Sequence, residues 1–452
     1  MTPPLIPGIV WARFGLIACA AMMSQGLPEL CAAEIPQTRT AVECTARGGW
    51  PNFFAKMTRG GDFRVAYLGG SITAQPGYRV KTLAHLKSQH PQARLTEINA
   101  AIGGTGSGLG VFRIDHDVFA GKPDLLFVEF AVNDATTEPT EIVRSMEGIV
   151  RKTWQRFPEC DVCFVYTFTE KMLAELQEGK LNRSAAIMEA VADHYSIPSI
   201  HMGLEAVRLE KEGKLLMKAP EAKMEQVSGE ALNKISPIAV NAEGKIPFSL
   251  DGVHPYVDTG HRLYTEAVVR SLPLLQRASG GAGAHALPAP LDAYNYERTV
   301  MLPLEQAAMS GSWTRLAADA GLGRQFGNRM DALWKAAPGA QLSFKFRGTQ
   351  AKVYDLVGPD CGKLEVTVDG KAASHPRFDA YCTYHRIATA AVYSGGEAEA
   401  LHEVKVKVLP DALDKRSILF EKNRADMDAT PAKYEGTFWY AGALFLVGEL
   451  VP

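Results

Sequence analysis

Short apolar runs alternate with amphipathic segments over the first part of the chain. The runs that predict strands are residues 65–68, 97–102, 125–130, 163–168 and 197–201. Apolar residues recur every three or four positions over about residues 141–156, which predicts a helix, and segments 185–194 and 260–276 have similar spacing. Strands that alternate with helices are typical of a parallel sheet with helices on its faces. We therefore predict an α/β domain over residues 61–277, after a lead-in at 34–60.

The pattern changes at a segment of small residues. Residues 278–290 are rich in glycine and end in proline, which predicts a linker. Beyond it, apolar and polar residues alternate over 342–347 with the period of two that half-buried strands have. Asp369-Gly370 follows another alternating run and predicts a hairpin turn. We therefore predict a second domain over residues 291–452, an antiparallel β-sandwich or jelly roll.

A leader precedes both domains. Arg13 stands before the apolar run 14–23, and small residues lead up to Ala33, a pattern typical of a secretory signal peptide over residues 1–33. The run is shorter than the ~20 residues that span a bilayer. We predict cleavage near Ala33, a secreted or periplasmic protein and no membrane span. A lipobox-like sequence ending at Cys19 leaves a lipoprotein as the less favoured alternative.

Composition narrows the class of protein. Of 452 residues, 46% are hydrophobic and 22% are charged, which is typical of a folded globular chain. The net charge of −2 provides no basic field for phosphate backbones, so we expect no nucleic-acid binding. Removing the leader leaves five of the seven cysteines, an odd number, so at least one is unpaired. Cys160 and Cys163 are predicted as a buried or bridged structural pair. Cys361 and Cys382 are either bridged or buried thiols.

A serine stands where the first predicted strand turns into a helix. Gly69 and Gly70 precede Ser71, followed by Ile72 and Thr73. Glycines permit a sharp turn, and the free amides of the following helix favour an anion that forms at the serine. A serine that caps the helix explains the same pattern, so this motif alone does not assign a nucleophile.

A carboxylate and an imidazole lie three positions apart before the last helix of the α/β domain. Asp251 is followed by Gly252, Val253, His254 and Pro255. The spacing lets the carboxylate orient the ring, and Pro255 biases His254 towards extended backbone. A hydrogen bond that stabilises the turn is the alternative interpretation.

Two more polar turns follow predicted strands. One is the glycine-rich segment 99–106, which contains Gly104, and the other is segment 130–134, which contains Asn133. In open parallel sheets, ligands bind at the carboxyl ends of the strands. We therefore expect these turns to converge with Ser71 and His254.

The four blocks, in this order, resemble the SGNH hydrolase superfamily, the GDSL-like esterases, over about residues 63–276. The resemblance implies a flavodoxin-like three-layer sandwich. It also implies that Ser71 is the nucleophile, His254 the general base and Asp251 its orienting carboxylate. An oxyanion hole would use the amides of Ser71 and Gly104 and the side chain of Asn133. The implied mechanism needs no metal and no organic cofactor.

Two positions depart from the family pattern. Gly70 replaces the aspartate of Gly-Asp-Ser, and Ala131 replaces the glycine that usually stands two places before the block asparagine. The chain resembles the Gly-Gly-Ser-Ile-Thr branch, which weakens any transfer of lipase specificity.

Two weaker candidates are set aside. Asp115, His116 and Asp117 are consecutive, and consecutive residues seldom face one ion, so we predict a solvated loop. Glu129 lies near Asn133 in sequence, but a lone carboxylate on a strand is more often structural than catalytic.

The function that these inferences favour is a secreted serine ester hydrolase. Its expected substrate is an acylated small molecule or polysaccharide, and removal of O-acetyl groups from a carbohydrate through an acyl-enzyme is the favoured reaction. A lipase, lysophospholipase or thioesterase of the same superfamily is one alternative. A non-catalytic cell-surface protein that binds carbohydrate is the other, and the intact set of Ser71, Asp251 and His254 argues against it.

Overall fold

The computed structural model describes residues 35–220, 239–395 and 400–452. The predicted signal peptide, with its cleavage near Ala33 and the alternative at Cys19, lies outside the described residues. Two bodies are present, an α/β body up to residue 278 and a β body from residue 291. In the described ranges, none of the helices combines the length and apolar character needed to cross a membrane.

The α/β body is built on one sheet. Its strands within the described residues are β1 (Cys44–Thr45), β2 (Gly61–Gly69), β3 (Ala93–Asn99), β4 (Leu125–Glu129), β5 (Asp161–Tyr166) and β6 (Ser199–His201). Their order is β1-β6-β5-β4-β2-β3. Strands β2 to β6 are parallel, and β1 is antiparallel at the edge. Each strand predicted from an apolar run is present, and residues of the predicted lead-in supply β1.

Helices cover both faces of this sheet. They are α1 (Pro51–Arg59), α2 (Ser71–Ala74), α3 (Tyr78–Gln89), α4 (Ser107–Asp117), α5 (Pro139–Arg156), α6 (Leu173–Gln177), α7 (Arg183–His194), α8 (Leu204–Lys211) and α9 (Gly260–Ala278). A parallel ribbon of β7 (Leu215–Lys218) and β8 (Ile246–Ser249) lies beside them. One apolar cluster fills the α4, α5 and α7 side, and another fills the α1, α3 and α9 side. The predicted three-layer α/β sandwich is therefore confirmed.

The β body is an antiparallel sheet, as predicted. Its described strands are β9 (Thr299–Pro303), β10 (Ala308–Ser310), β11 (Trp313–Arg315), β12 (Trp334–Ala336), β13 (Gln341–Val357), β14 (Lys363–Val368), β15 (Lys371–Pro376), β16 (Arg386–Ser394), β17 (Leu401–Leu409) and β18 (Trp439–Val451). Short helices are α10 (Gly321–Phe326), α11 (Lys415–Ile418) and α12 (Arg424–Ala429). Asp369 and Gly370 have φ of 49° and 81° and join β14 to β15, which confirms the predicted hairpin.

The two bodies share one apolar core. The cluster on the α4 and α5 side continues into β13 and β18 of the β body. The rings of Phe112 on α4 and Phe445 on β18 stack with centroids 5.0 Å apart. The predicted linker is also held in place, because the ring of His285 stacks on Trp154 at 4.7 Å and its Nε2 lies 2.9 Å from Asp161. The β body is therefore packed against the α/β body as one continuous structure.

The cysteines in the described part of the chain form no disulfide bonds. All five in the described residues are free thiols, so neither the Cys160–Cys163 nor the Cys361–Cys382 bridge that we considered is formed. Burial raises the pKa of Cys160 and Cys163, which pack as small apolar side chains in the sheet.

Candidate active site

Ser71 lies at the carboxyl end of β2, where the chain turns into α2. Gly70 precedes α2 with extended backbone, and Ser71 is the first helical residue. The turn is closed by the amide of Ala74, which donates to the carbonyl of Gly70 at 2.9 Å. The side chain of Ser71 is half-buried. Its amide has no intrahelical partner, because the first N–H groups of a helix never do.

A buried carboxylate on the neighbouring strand β4 stabilises this turn. Glu129 on β4 is beside Gly69 in the sheet register and is 1% exposed. It accepts hydrogen bonds from Thr73 Oγ1 at 2.9 Å, from Thr167 Oγ1 at 2.8 Å and from the amide of Gly70. Burial raises the pKa of Glu129, and these donors oppose the shift. Glu129, which the sequence left unassigned, therefore holds the Ser71 turn in place.

Asp251 and His254 lie on the turn between β8 and α9. Asp251 Oδ2 is 2.8 Å from His254 Nδ1, and Oδ1 accepts the amides of Val253 and His254 at 2.9 and 2.8 Å. Partial burial raises the pKa of Asp251, but the hydrogen bonds that His254 and Val253 donate outweigh it and leave that pKa below its ordinary value. The carboxylate is thus ionised at neutral pH and fixes the ring.

Glycine is needed at the centre of this turn. Gly252 has φ of +83°, a region that side chains with a Cβ rarely adopt. Its amide donates to Ser249 Oγ at 2.9 Å, and its carbonyl accepts the amide of Glu170 at 2.8 Å. The turn that carries His254 is therefore tied both to β8 and to the segment after β5.

The structure brings Ser71 and His254 together from positions 183 residues apart. His254 Nε2 lies 2.9 Å from Ser71 Oγ. An ionised carboxylate only accepts, so Asp251 fixes the proton of neutral His254 on Nδ1 and leaves Nε2 to accept the Ser71 hydroxyl. The side chains of His254 and Asp251 are 38% and 44% exposed, so the group is open to solvent.

The glycine-rich loop after β3 passes beside Ser71. Gly103 and Gly104 are exposed, and Gly104 has φ of +73°. A Cβ added to Gly103 would lie 3.6 Å from the Cβ of Ser71. Thr105 Oγ1 closes the loop by donating to the carbonyl of Ile102 at 2.8 Å.

Asn133 follows β4 and lies against the turn before Ser71. A Cβ added to Gly70 would overlap Asn133 Oδ1 far inside van der Waals contact. The next residue, Asp134, is buried and accepts the amide of Ser107 at the start of α4 at 3.2 Å. Burial raises the pKa of Asp134 to about 7, against the hydrogen bonds from Ser107. The glycine that replaces the family aspartate at position 70 thus makes room for Asn133.

We expect Gly70→Ala to lower kcat on an acetate ester by about 10-fold or more, because the added methyl group displaces the amide of Asn133 from beside Ser71. Steady-state kinetics with 4-nitrophenyl acetate measure this effect. Gly61→Ala is a control, since a Cβ there meets no atom within 4 Å, although its φ of +104° costs some stability. Equal kcat in the two variants would contradict the packing argument.

The segment Asp115, His116 and Asp117 is not the solvated loop that we predicted. These residues form the last turn of α4, and the side chain of Asp117 is 1% exposed. Asp117 accepts His116 Nδ1 at 2.6 Å and Arg113 Nη1 at 2.6 Å. The prediction of a loop is wrong because α4 continues through these residues, which buries the side chain of Asp117 but leaves that of Asp115 exposed to solvent.

One group in the described residues has donor atoms close enough for a metal ion, namely Asp360, Cys361 and His385 in the β body. Both oxygens of Asp360 already accept, from His385 Nε2 at 2.7 Å and from the hydroxyl of Tyr440 at 2.6 Å. The buried ammonium of Lys415 interacts electrostatically with Asp360 and Cys361. The group is therefore satisfied by protein donors and positive charge.

Comparisons with known proteins agree with this fold. Residues 67–221 match the GDSL-like lipase/acylhydrolase family. A crystal structure of a two-domain esterase (CEX) active on acetylated mannans is similar with a TM-score of 0.65 and 21% identity, over 89% of this chain and 96% of that chain. A second crystal structure of a two-domain esterase (CEX) active on acetylated mannans, co-crystallized with mannopentaose, is similar with a TM-score of 0.61 and 20% identity, over 91% of this chain and 100% of that chain. No curated protein matches the sequence.

The family match over residues 67–221 places the protein in the class of carboxylic ester hydrolases. Within that class, residues 67–221 match the GDSL-like lipase/acylhydrolase family, and an antiparallel β domain follows the α/β body.

Proposed function

We propose that the protein is a carbohydrate O-acetylesterase that uses Ser71 as its nucleophile. The observation that carries the proposal is the hydrogen-bonded series Asp251–His254–Ser71, with 2.8 and 2.9 Å between the bonded atoms. A serine hydroxyl is a weak nucleophile near neutral pH, and a neutral imidazole within hydrogen-bond distance overcomes this by accepting its proton.

In the proposed reaction, Ser71 Oγ attacks the carbonyl carbon of the ester as its proton passes to His254 Nε2. The tetrahedral intermediate collapses, the bond to the sugar oxygen breaks, and that oxygen takes the proton from His254. The acetyl group is then bound to Ser71. Water attacks it with His254 as base, and the collapse releases acetate and restores the hydroxyl. Asp251 stabilises the imidazolium in both halves.

Three groups near Ser71 are candidate donors to an oxyanion formed there. The amide of Ser71 has no intrahelical acceptor at the start of α2, the loop of Gly104 lies beside Ser71, and the side chain of Asn133 contacts the same turn. Donors that are fixed before reaction stabilise the developing charge without reorganisation. We assign the oxyanion hole to the amides of Ser71 and Gly104 and to Asn133 Nδ2.

An acetylated polysaccharide is the substrate class that we propose. Both similar structures are described as two-domain esterases active on acetylated mannans, and the similarity extends over both bodies of this chain. The export signal predicted over residues 1–33 supports a substrate outside the cytoplasm. The exposure of Asp251 and His254 also suits an acetyl group carried on a bulky polymer.

We expect kcat/KM for 4-nitrophenyl acetate to exceed that for the octanoate by about 10-fold or more. Each buried methylene contributes only about 0.8 kcal/mol, and only where an apolar channel receives it. Beside Ser71 lie Gly103, Gly104 and Asn133, which offer little apolar surface. Acetate release from acetylated mannan, against deacetylated mannan as a blank, tests the polymer. Preference for octanoate would favour a lipase or thioesterase, and absence of turnover would favour a binding protein.

A further inference from the structure

The β body reaches the loop that carries Gly104. Arg329 follows α10, and its Nη2 donates to the carbonyl of Ala101 at 3.1 Å. Ala101 lies three residues before Gly104 and is 2% exposed. A side chain of the second body therefore contacts the backbone of the candidate oxyanion loop.

Three consecutive carbonyls of this loop are held by three different side chains. Arg113 Nη1 donates to Ala100, Arg329 Nη2 to Ala101, and Thr105 Oγ1 to Ile102. The amides of Ala100 and Ile102 donate to Tyr67 and Gly69 of β2 at 2.9 and 3.0 Å. Of the three side chains that donate to these carbonyls, only that of Arg329 comes from outside the α/β body.

A buried carboxylate links the two arginines. The side chain of Arg113 is fully buried, and its Nη2 lies 3.4 Å from the carbonyl of Gly69, two residues before Ser71. Arg113 Nη1 pairs with Asp117 Oδ2 at 2.6 Å, and Arg329 Nη1 lies 3.9 Å from the same oxygen. The negative charge of Asp117 thus attracts both guanidinium groups, which donate to the consecutive carbonyls of Ala100 and Ala101.

The backbone at Arg329 is itself fixed by the shared core. Its amide donates to the carbonyl of Phe326 at 2.9 Å, and Phe326 is 7% exposed. The neighbouring Met330 is fully buried against Gly442 of β18. The backbone of Arg329 is therefore fixed by well-packed neighbours, and 19% of its side chain is exposed.

We propose that Arg329 is a positioning residue through which the β body holds the oxyanion loop in place beside Ser71. The proposal rests on the proposed esterase function and adds a role for the second body. Gly103 and Gly104 have no side chains to anchor the loop, so its position depends on contacts to residues 100–102. Displacement of a catalytic donor by about 1 Å can cost on the order of 100-fold in rate.

The test compares four variants of the full-length chain with 4-nitrophenyl acetate. We expect Arg329→Met to lower kcat by about 10-fold with KM changed less than about two-fold, because the loop donates in the transition state more than in the ground state. Arg329→Lys keeps one donor and is expected to recover at least part of kcat. Arg324→Met, an exposed arginine on α10, is the matched control and is expected to keep wild-type kcat.

Arg151→Met separates positioning from general loosening of the two bodies. Arg151 pairs with Glu297 at 2.8 Å and donates to the carbonyl of Pro288, both beyond α9 and away from the loop. We expect it to lower the thermal midpoint while kcat, measured well below that midpoint, is kept. Wild-type kcat in Arg329→Met, or an equal loss of kcat in Arg151→Met, would overturn the positioning role alone. An inactive wild-type chain would overturn the esterase function and this role together.

Discussion

Replacement of Ser71 by alanine is expected to lower kcat for 4-nitrophenyl acetate by about 10⁴-fold or more, the order of loss typical when the nucleophile of a serine hydrolase is removed. The variant is not expected to form an acetyl-enzyme, because the hydroxyl that it lacks is the one that lies 2.9 Å from His254 Nε2. The turn itself is held by backbone hydrogen bonds and by Glu129, so we expect the fold to persist. Steady-state kinetics and thermal unfolding measure the two effects separately.

Ser88→Ala is the matched control for this prediction. Ser88 is exposed on α3 and donates only to the carbonyl of His85, one turn earlier, at 2.7 Å. We expect that variant to be as active as the wild type. Turnover in Ser71→Ala at the level of Ser88→Ala would disprove the nucleophile assignment, whatever the substrate of the enzyme.

Replacement of Asn133 by alanine is expected to lower kcat by about 10²- to 10³-fold, the loss typical of one oxyanion donor. Asn133→Asp keeps the shape of the side chain but presents an acceptor and a negative charge to the oxyanion, so its loss is expected to be at least as large. Kinetics at saturating 4-nitrophenyl acetate measure both. Asn328→Ala, at an exposed asparagine of the β body, serves as the control.

The kinetics of the Asn133 variants distinguish catalysis from substrate binding. A donor to the transition state affects kcat more than KM, whereas a residue that binds substrate equally in both states affects KM. A rise in KM with kcat unchanged would assign Asn133 to substrate binding and remove it from the oxyanion hole.

The fold of the α/β body was predictable because buried parallel strands have continuous runs of apolar residues in the sequence. Strand β4 is buried throughout and was predicted within one residue of its end. Strand β3 was predicted less well, since it begins at Ala93 rather than at residue 97. It lies at the sheet edge, where polar residues such as Arg94 and Thr96 face solvent, so its first half has no apolar run.

The convergence of the candidate site was predictable from topology. Ser71, Gly104 and Asn133 follow β2, β3 and β4, and the carboxyl ends of neighbouring parallel strands meet at one edge. The distance between Ser71 and His254 could not be predicted in the same way, because His254 follows β8, which lies outside the main sheet.

The supporting residues were harder to predict. The position of Glu129 inside an apolar strand indicates that its carboxylate has hydrogen-bond partners, because an unpaired buried charge is costly. Its partner at Gly70 is visible only in the folded chain. The contact between Arg329 and Ala101 joins positions 228 residues apart in different bodies. No local pattern encodes such a contact. Composition predicted a linker but not its anchor: His285 stacks on Trp154, its Nε2 lies 2.9 Å from Asp161, and its amide donates to the carbonyl of Pro158 at 2.8 Å.

The core that continues from α4 and α5 into β13 and β18 limits how this architecture can be rearranged. Grafting the hydrolase half onto a different accessory module would expose the ring of Phe112, and transplanting the accessory half would expose Phe445. Large uncovered apolar patches favour aggregation. Exchanging either body at residues 278–290 would therefore require a new interface to be designed on both bodies. Changes confined to exposed loops leave the packing between the two bodies intact.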